Sequence, residues 1–266
     1  MKTIAVIGCG ALSHVFAQNL PRLMPEDYLI TGVMSRTPAR TQEFADLLGC
    51  GAHNDIRSLL ATRPDFVVEF AGVDAVRQYA EEILSSGANL VVASIGAFAD
   101  EDFKKKIMAA ARQTRTKVYI PSGAIGGFDL MKTFALMGNA EVTIDDYLSS
   151  DALTGAPFLK DRNIAIDQPG VVFSGTPSEA IEGFPKNVNV AVATAMATAS
   201  PNAKINIHCV PETDETTHRI TLKNNLMHAE LNISSRPDPE NPRSSVSAAW
   251  NVLTLFKTLA SPMVYF

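Results

Sequence analysis

Cysteine is scarce in this chain, and Cys9, Cys50 and Cys209 form neither a CxxC pair nor a metal-ligand spacing. That argues against a disulfide framework and a metal site, and the three thiols read as small buried hydrophobes. Charge is also thin: 19% of residues are charged, and 23 Lys plus Arg against 28 Asp plus Glu leave a net charge of -5. Without a dense basic cluster, nucleic acid is not an expected partner. Long apolar runs are missing too, since Val188 to Ala199 is interrupted by Asn and Thr, so no membrane association is expected. The first residues are a core-type strand rather than a charged start followed by an apolar leader region. A cytoplasmic protein is therefore expected. What is there is a chain of 266 residues, 46% of them hydrophobic, which is enough for a globular protein of two domains.

The strongest local signal is Ile4-Ala5-Val6-Ile7 running into Gly8-Cys9-Gly10-Ala11-Leu12-Ser13. An apolar strand that breaks into a glycine turn and then a helix is how a dinucleotide site begins. The first glycine permits the turn, the second lets backbone approach a pyrophosphate, and the helix offers unpaired N–H groups and a positive dipole end. A glycine pair by itself is often only a turn; the strand before it and the apolar helix after it favour the binding role. The third glycine of the fingerprint is absent, and Ser13 stands there as a small residue that still permits close helix–strand packing.

Helical spacing of Val15, Phe16, Leu20 and Leu23 runs toward Pro25, and Tyr28 to Met34 reads as a second strand. The alternation continues through strand Phe66 to Phe70, helix Val73 to Leu84, strand Asn89 to Ala93, a helix around Asp102 to Arg112 and strand Lys117 to Ile120. This is the pattern of an α/β, doubly wound parallel sheet of Rossmann type. Its strands end in small-residue turns such as Ala71-Gly72 and Ser94-Ile95-Gly96-Ala97, on the side where such sheets hold ligands. Pro121-Ser122-Gly123-Ala124-Ile125-Gly126-Gly127 breaks the pattern, and afterwards Glu141–Ser150, Gly170–Ser174, Lys204–Val210, His218–Leu222 and Ala229–Ser234 read as strands. A helix from Pro177 toward Ile181 and an Ala-rich one after Asn187 complete a second, α+β domain with an antiparallel or mixed sheet. The Pro-rich stretch from Arg236 to Pro242 reads as a linker, and Ser245 to Leu259 as a final helix returning to the first domain. The expected division is 1–120 plus 242–266 for dinucleotide binding and 121–241 for substrate binding, catalysis and dimerisation.

With these residues in view, the chain resembles the L-aspartate dehydrogenase family along nearly its whole length. The match is carried by the N-terminal GCGAL turn, by Pro121 to Gly127, by Phe184-Pro185-Lys186-Asn187-Val188-Asn189-Val190-Ala191 and by Thr217-His218-Arg219-Ile220, with Glu240-Asn241-Pro242-Arg243 as a weaker signal. The resemblance implies NAD- or NADP-dependent oxidation of L-aspartate to iminosuccinate, which water converts to oxaloacetate and ammonia, or the reverse amination. It also implies a homodimer, formed through the second domain's sheet, and a place in pyridine nucleotide biosynthesis. It makes His218 the catalytic residue and places Ala124 and Asn189 at the cofactor. Gly8, Gly10, Ala11, Leu12, Ser35, Arg36 and Ala71 are the cofactor-binding candidates of the first domain.

The residues themselves support parts of this. If Thr217 to Leu222 is a strand, His218, Ile220 and Leu222 share its apolar face, so the imidazole points inward. From pattern alone an inward histidine is usually a hydrogen-bonded structural residue; the reaction gives it a task, because the water attacking the imine, and before it the substrate ammonium, must lose a proton. Asn189 at a helix start is, from pattern alone, more often a backbone cap, and Ala124 lies in a glycine-flanked turn where backbone comes close to a ligand. After the second strand, Met34-Ser35-Arg36-Thr37 offers no acid to grip a ribose 2′-hydroxyl or repel a 2′-phosphate. Arg36, with Ser35 and Arg40, is either a phosphate clamp or solvated loop; the clamp would extend cofactor use to NADP.

Lys160, Arg162, Arg236 and Arg243 are the cations considered for the two substrate carboxylates, though each is more often a surface charge, and His14 reads as surface or packing. Two other readings remain open. One is a Rossmann oxidoreductase of sugars or polyols, which would want a lysine where Ser94-Ile95-Gly96 has none; the other is a non-catalytic dinucleotide sensor, which has no use for an inward histidine.

Overall fold

The computed structural model describes residues 1–185, 189–236 and 247–264. The chain divides into two compact units, Met1–Pro121 with Val246–Phe266 and Ser122–Ser245.

The first unit alternates strand and helix: β1 (Lys2–Ile7), α1 (Ala11–Leu23), β2 (Tyr28–Met34), α2 (Pro38–Leu48), β3 (Gly51–His53), α3 (Ile56–Leu60), β4 (Phe66–Glu69), α4 (Val73–Ser85), β5 (Asn89–Val92), a short 3-10 helix (Ile95–Ala99), α5 (Glu101–Thr114) and β6 (Val118–Tyr119). All six strands run parallel in the order β3-β2-β1-β4-β5-β6. Both sheet faces are covered, so the central strands are apolar throughout instead of alternating; every residue of β4 is buried. The strand order reverses between β1 and β4, which is where a sheet of this kind opens a crevice at its carboxyl edge.

Helix α1 stops at Leu23 rather than reaching Pro25, because a residue before proline is driven out of helical geometry and Met24 adopts φ -143°. Strand β6 is shorter than the span Lys117 to Ile120: only Val118 and Tyr119 pair with β5, and the N–H of Lys117 goes to the side chain of Asn89. The final helix, Ser247–Ala260, buries Ala249, Val252, Leu253 and Phe256 in the core of this unit. The Phe256 ring lies 5.6 Å from Phe16, 4.9 Å from Tyr28 and 5.2 Å from Phe66, and the Tyr28 hydroxyl donates to its carbonyl at 3.0 Å.

The second unit contains α6 (Phe128–Met137), β7 (Glu141–Leu148), α7 (Ser150–Leu153), α8 (Pro157–Arg162), β8 (Gly170–Gly175), α9 (Pro177–Gly183), α10 (Asn189–Ala197), β9 (Lys204–Cys209), β10 (Thr216–Lys223) and β11 (His228–Ser235); the final helix is therefore α11. Its sheet, ordered β11-β10-β7-β9-β8, is mixed: β7 and β9 are parallel and the other pairs antiparallel. Here the period is two. Val142, Ile144, Asp146 and Leu148 of β7 are buried, as are His218, Ile220 and Leu222 of β10, so one face packs on the core and a polar Asp146–His218 pair sits among its aliphatic residues.

Candidate active site

In the first unit the two glycines of the opening turn have different physical roles. Gly8 has φ +112°, and a Cβ there would sit 2.9 Å from the carbonyl carbon and oxygen of Phe70, so both conformation and the approach of the next loop require its lack of a side chain. Gly10 has ordinary φ of -99° and faces open space, with nothing within 4 Å of where its Cβ would be. It forms the N-cap of α1, whose first turn contains neither a capping side chain nor an acid. An uncapped helix start behind an open backbone surface at the β1/β4 reversal has the donors and the sign of charge that a pyrophosphate needs. Ala11 and Leu12 are the first residues of α1, and Ser13 is fully buried behind them with an unpaired hydroxyl.

At the end of β2, Ser35 shares a hydrogen bond of 2.7 Å with Thr41 and caps the turn by accepting from the Thr37 N–H at 3.3 Å. Arg36 and Arg40 are exposed, and among the described residues neither has a carboxylate within ion-pairing distance. Beside this turn Cys9, His14, Arg40, Glu43 and Phe44 line a pocket of about 170 Å³, in which the His14 ring lies 4.3 Å from that of Phe44. Burial raises the Cys9 and Cys50 thiols, Cys50 to about 11, so both are poor nucleophiles. Cys9 and Cys50 are only half-buried, while Cys209 is buried; the reading of all three as buried hydrophobes holds fully for the last alone.

Glu69 ends β4 at 1% exposure. Its Oε1 accepts from the N–H groups of Ala71 and Gly72, both at 2.6 Å, and from the Ser94 hydroxyl at 2.9 Å; Oε2 accepts from the Ser94 N–H at 3.0 Å. Burial pushes this carboxyl up while the four donors pull against it. Ala71 thus lies in a loop whose shape is set by a buried carboxylate.

In the second unit the register pairs His218 directly with Asp146 across β10 and β7. Nδ1 of His218 lies 2.6 Å from Oδ1 of Asp146, with side-chain exposures of 9% and 3%. An ionised carboxylate can only accept, so Nδ1 carries the proton and Nε2 is left as the basic nitrogen. Ala124 occupies a tight turn closed by Ile125 N–H to Ser122 O at 3.1 Å, with Gly123 at φ +66°. Asn189 is the first residue of α10, and α6 packs against both α10 and β10. Of the cations considered for substrate, Arg236 pairs with Asp214 and Glu215 at 3.4 and 3.5 Å, Arg162 lies 4.0 Å over the Phe158 ring and Lys160 is exposed in the last turn of α8. Arg243, the linker from Pro237 onward, the tail segment Glu240 to Arg243 and the Lys186-Asn187-Val188 part of the third motif lie outside the described residues. Among the described residues no cluster of three or more His, Cys, Asp or Glu is arranged for a metal, and no helix is long and apolar enough to cross a membrane.

Comparison with known proteins now decides the family. Residues 8–121 match the model described as homoserine dehydrogenase, NAD binding domain, and residues 129–259 the one described as aspartate dehydrogenase, C-terminal. An L-aspartate dehydrogenase of Methanospirillum hungatei is 31% identical over 99% of both chains, and one of Archaeoglobus fulgidus is 34% identical over 79% of this chain and 82% of its own. The chain belongs to the aspartate dehydrogenase family. Among solved structures it is similar to an aspartate dehydrogenase of Thermotoga maritima, at TM-score 0.74 with 24% identity over 100% of both chains. A hyperthermophilic archaeal homoserine dehydrogenase solved with NADPH has TM-score 0.62 and 13% identity over 98% of each chain, a likeness of fold.

Two residues of this family member were invisible to motif reading. Asp146 had a usable signal, since the alternation Val142, Ile144, Leu148 puts an aspartate on the apolar face of β7, and a charge in that position calls for a partner. Glu69 had a similar one, a carboxylate closing the otherwise apolar run Phe66-Val67-Val68.

Proposed function

We propose that this chain is an NAD(P)-dependent L-aspartate dehydrogenase in which His218 is the catalytic proton carrier and Asp146 its orienting partner. Membership of the family supports the substrate, and the 2.6 Å His218–Asp146 contact is the observation that carries the mechanism. The nicotinamide dinucleotide, when bound, accepts hydride from the substrate carbon. Gly8, Gly10, Ala11 and Leu12 would hold its pyrophosphate, with Ala71, Ala124 and Asn189 as further contacts. Ser35 supports the turn carrying Arg36, and Arg36 with Arg40 would receive a 2′-phosphate, so NADP serves as well as NAD. In this reading the first unit is the dinucleotide-binding domain and the second carries substrate binding, catalysis and the contact between two copies.

Asp146 keeps the proton on Nδ1 of His218 and stabilises the charged ring once Nε2 has taken a proton. In oxidation Nε2 would remove a proton from the substrate ammonium and pass it to solvent, leaving the neutral amine that is oxidised to iminosuccinate. Neutral again, Nε2 takes a proton from the water that attacks the imine carbon and returns it to the leaving amine, giving oxaloacetate and ammonia. The protein works as a cytoplasmic homodimer.

The test is NADPH and NADH oxidation, followed by absorbance, on adding oxaloacetate, ammonium or both. Loss of absorbance requiring both reagents is expected. Turnover of a sugar ketone instead, or binding without turnover, refutes the proposal.

A further inference from the structure

We infer that Glu69 is a positioning residue for the dinucleotide, bracing the loops after β4 and β5 into the shape that the β1/β4 crevice requires. The inference rests on the dinucleotide reading above and concerns a residue that touches only protein. A fourth apolar residue would suit β4, which is buried on both faces, yet the chain buries a carboxylate there at a desolvation cost. Its two oxygens meet four donors from two loops, at Ala71 and Gly72 and at Ser94, the last 25 residues beyond Glu69 in sequence. Four donors and no acceptor match an ionised carboxylate, and no apolar side chain could substitute.

These loops adjoin the glycine turn directly. Gly72, at φ +116°, is the N-cap of α4, and its own N–H is held by Glu69. Phe70, the next residue, donates its N–H to Ile7 O at 2.8 Å, and its carbonyl occupies the space that a side chain at Gly8 would need. The carboxylate therefore sets the spacing of three successive loops at the carboxyl edge of the sheet. A shift there displaces the backbone of the glycine turn.

Glu69→Gln keeps the shape and turns one acceptor into a donor aimed at other donors. Its dissociation constant for NADPH, read by fluorescence titration, should rise roughly tenfold or more, as expected when binding geometry is loosened. The KM values for oxaloacetate and ammonium should stay within about threefold. Hydrogen exchange should accelerate at the amides of Ala71, Gly72 and Ser94 and not along β10. Ser94→Ala, which removes one hydroxyl donor, should weaken NADPH binding by about threefold; it carries the test should the Gln variant fail to fold. A folded Glu69→Gln protein, or failing that Ser94→Ala, with NADPH affinity and loop exchange like wild type overturns the inference, even if its melting temperature falls. Wild-type protein that binds neither NADPH nor NADH overturns the dinucleotide reading itself and this inference with it.

Discussion

Replacing Asp146 with Asn removes a charge while leaving an oxygen within reach of His218 Nδ1. The contact is short, 2.6 Å, and both partners are buried, so water cannot take over the role of the carboxylate. A hydrogen bond to a charged group contributes about 1.5–3 kcal/mol, and since 1.36 kcal/mol is a factor of ten in rate, its loss should lower kcat by roughly 10- to 150-fold. The upper end applies if the amide also lets the ring adopt the tautomer with its proton on Nε2, where it can no longer accept one. His218→Ala should cost more, on the order of 100- to 10,000-fold. Because the carboxylate acts only through the ring, Asp146→Asn added to His218→Ala should cost little further. The assay is steady-state NADPH oxidation with saturating oxaloacetate and ammonium, alongside NADPH titration to establish that binding is unchanged. An Asp146→Asn enzyme within about threefold of wild type, or a double variant whose losses simply multiply, would refute the coupling of the two residues.

Arg36→Ala combined with Arg40→Ala should weaken NADPH by roughly tenfold or more and leave NADH nearly unchanged, because only the former has a phosphate for these cations; equal losses in competitive titrations would count against the clamp. Phe256→Ala should destabilise the first unit by about 3–5 kcal/mol, since it empties a site enclosed by Phe16, Tyr28 and Phe66. Urea melts measure this, and a change below about 1 kcal/mol would mean that α11 is not held in the core. The native Cys50 thiol, pushed up to about 11, should react with iodoacetamide at pH 8 roughly a hundredfold more slowly than in urea, with the rate climbing as pH rises toward 11 because more thiolate forms. Labelling at the unfolded rate would contradict its burial.

The first unit was legible where periodicity is strong: Tyr28 to Met34 and the cores of β4, β5 and α4 coincide with their apolar patterns. It was illegible at β3 and α3, which have three and five residues and no repeat to count. Helix α2 did carry signals, Pro38 at its start and Gly49 in left-handed geometry at its end, but its apolar stripe is weak. In the second unit the inward face of β10 followed from alternation, and so the burial of His218 followed too. Its partner did not, because which strand lies opposite β10 depends on a connection across some seventy residues, decided by sheet register.

Local sequence therefore determined the strongly periodic elements, the glycine turn and the inward imidazole, because backbone sterics and burial periods act between neighbours in the chain. Tertiary structure alone decided that Asp146 faces His218, that Glu69 ties Ala71 and Gly72 to Ser94, and that Gly8 must make room for Phe70. Those contacts join segments far apart in the chain, and only the order and register of the strands bring their atoms within hydrogen-bonding distance.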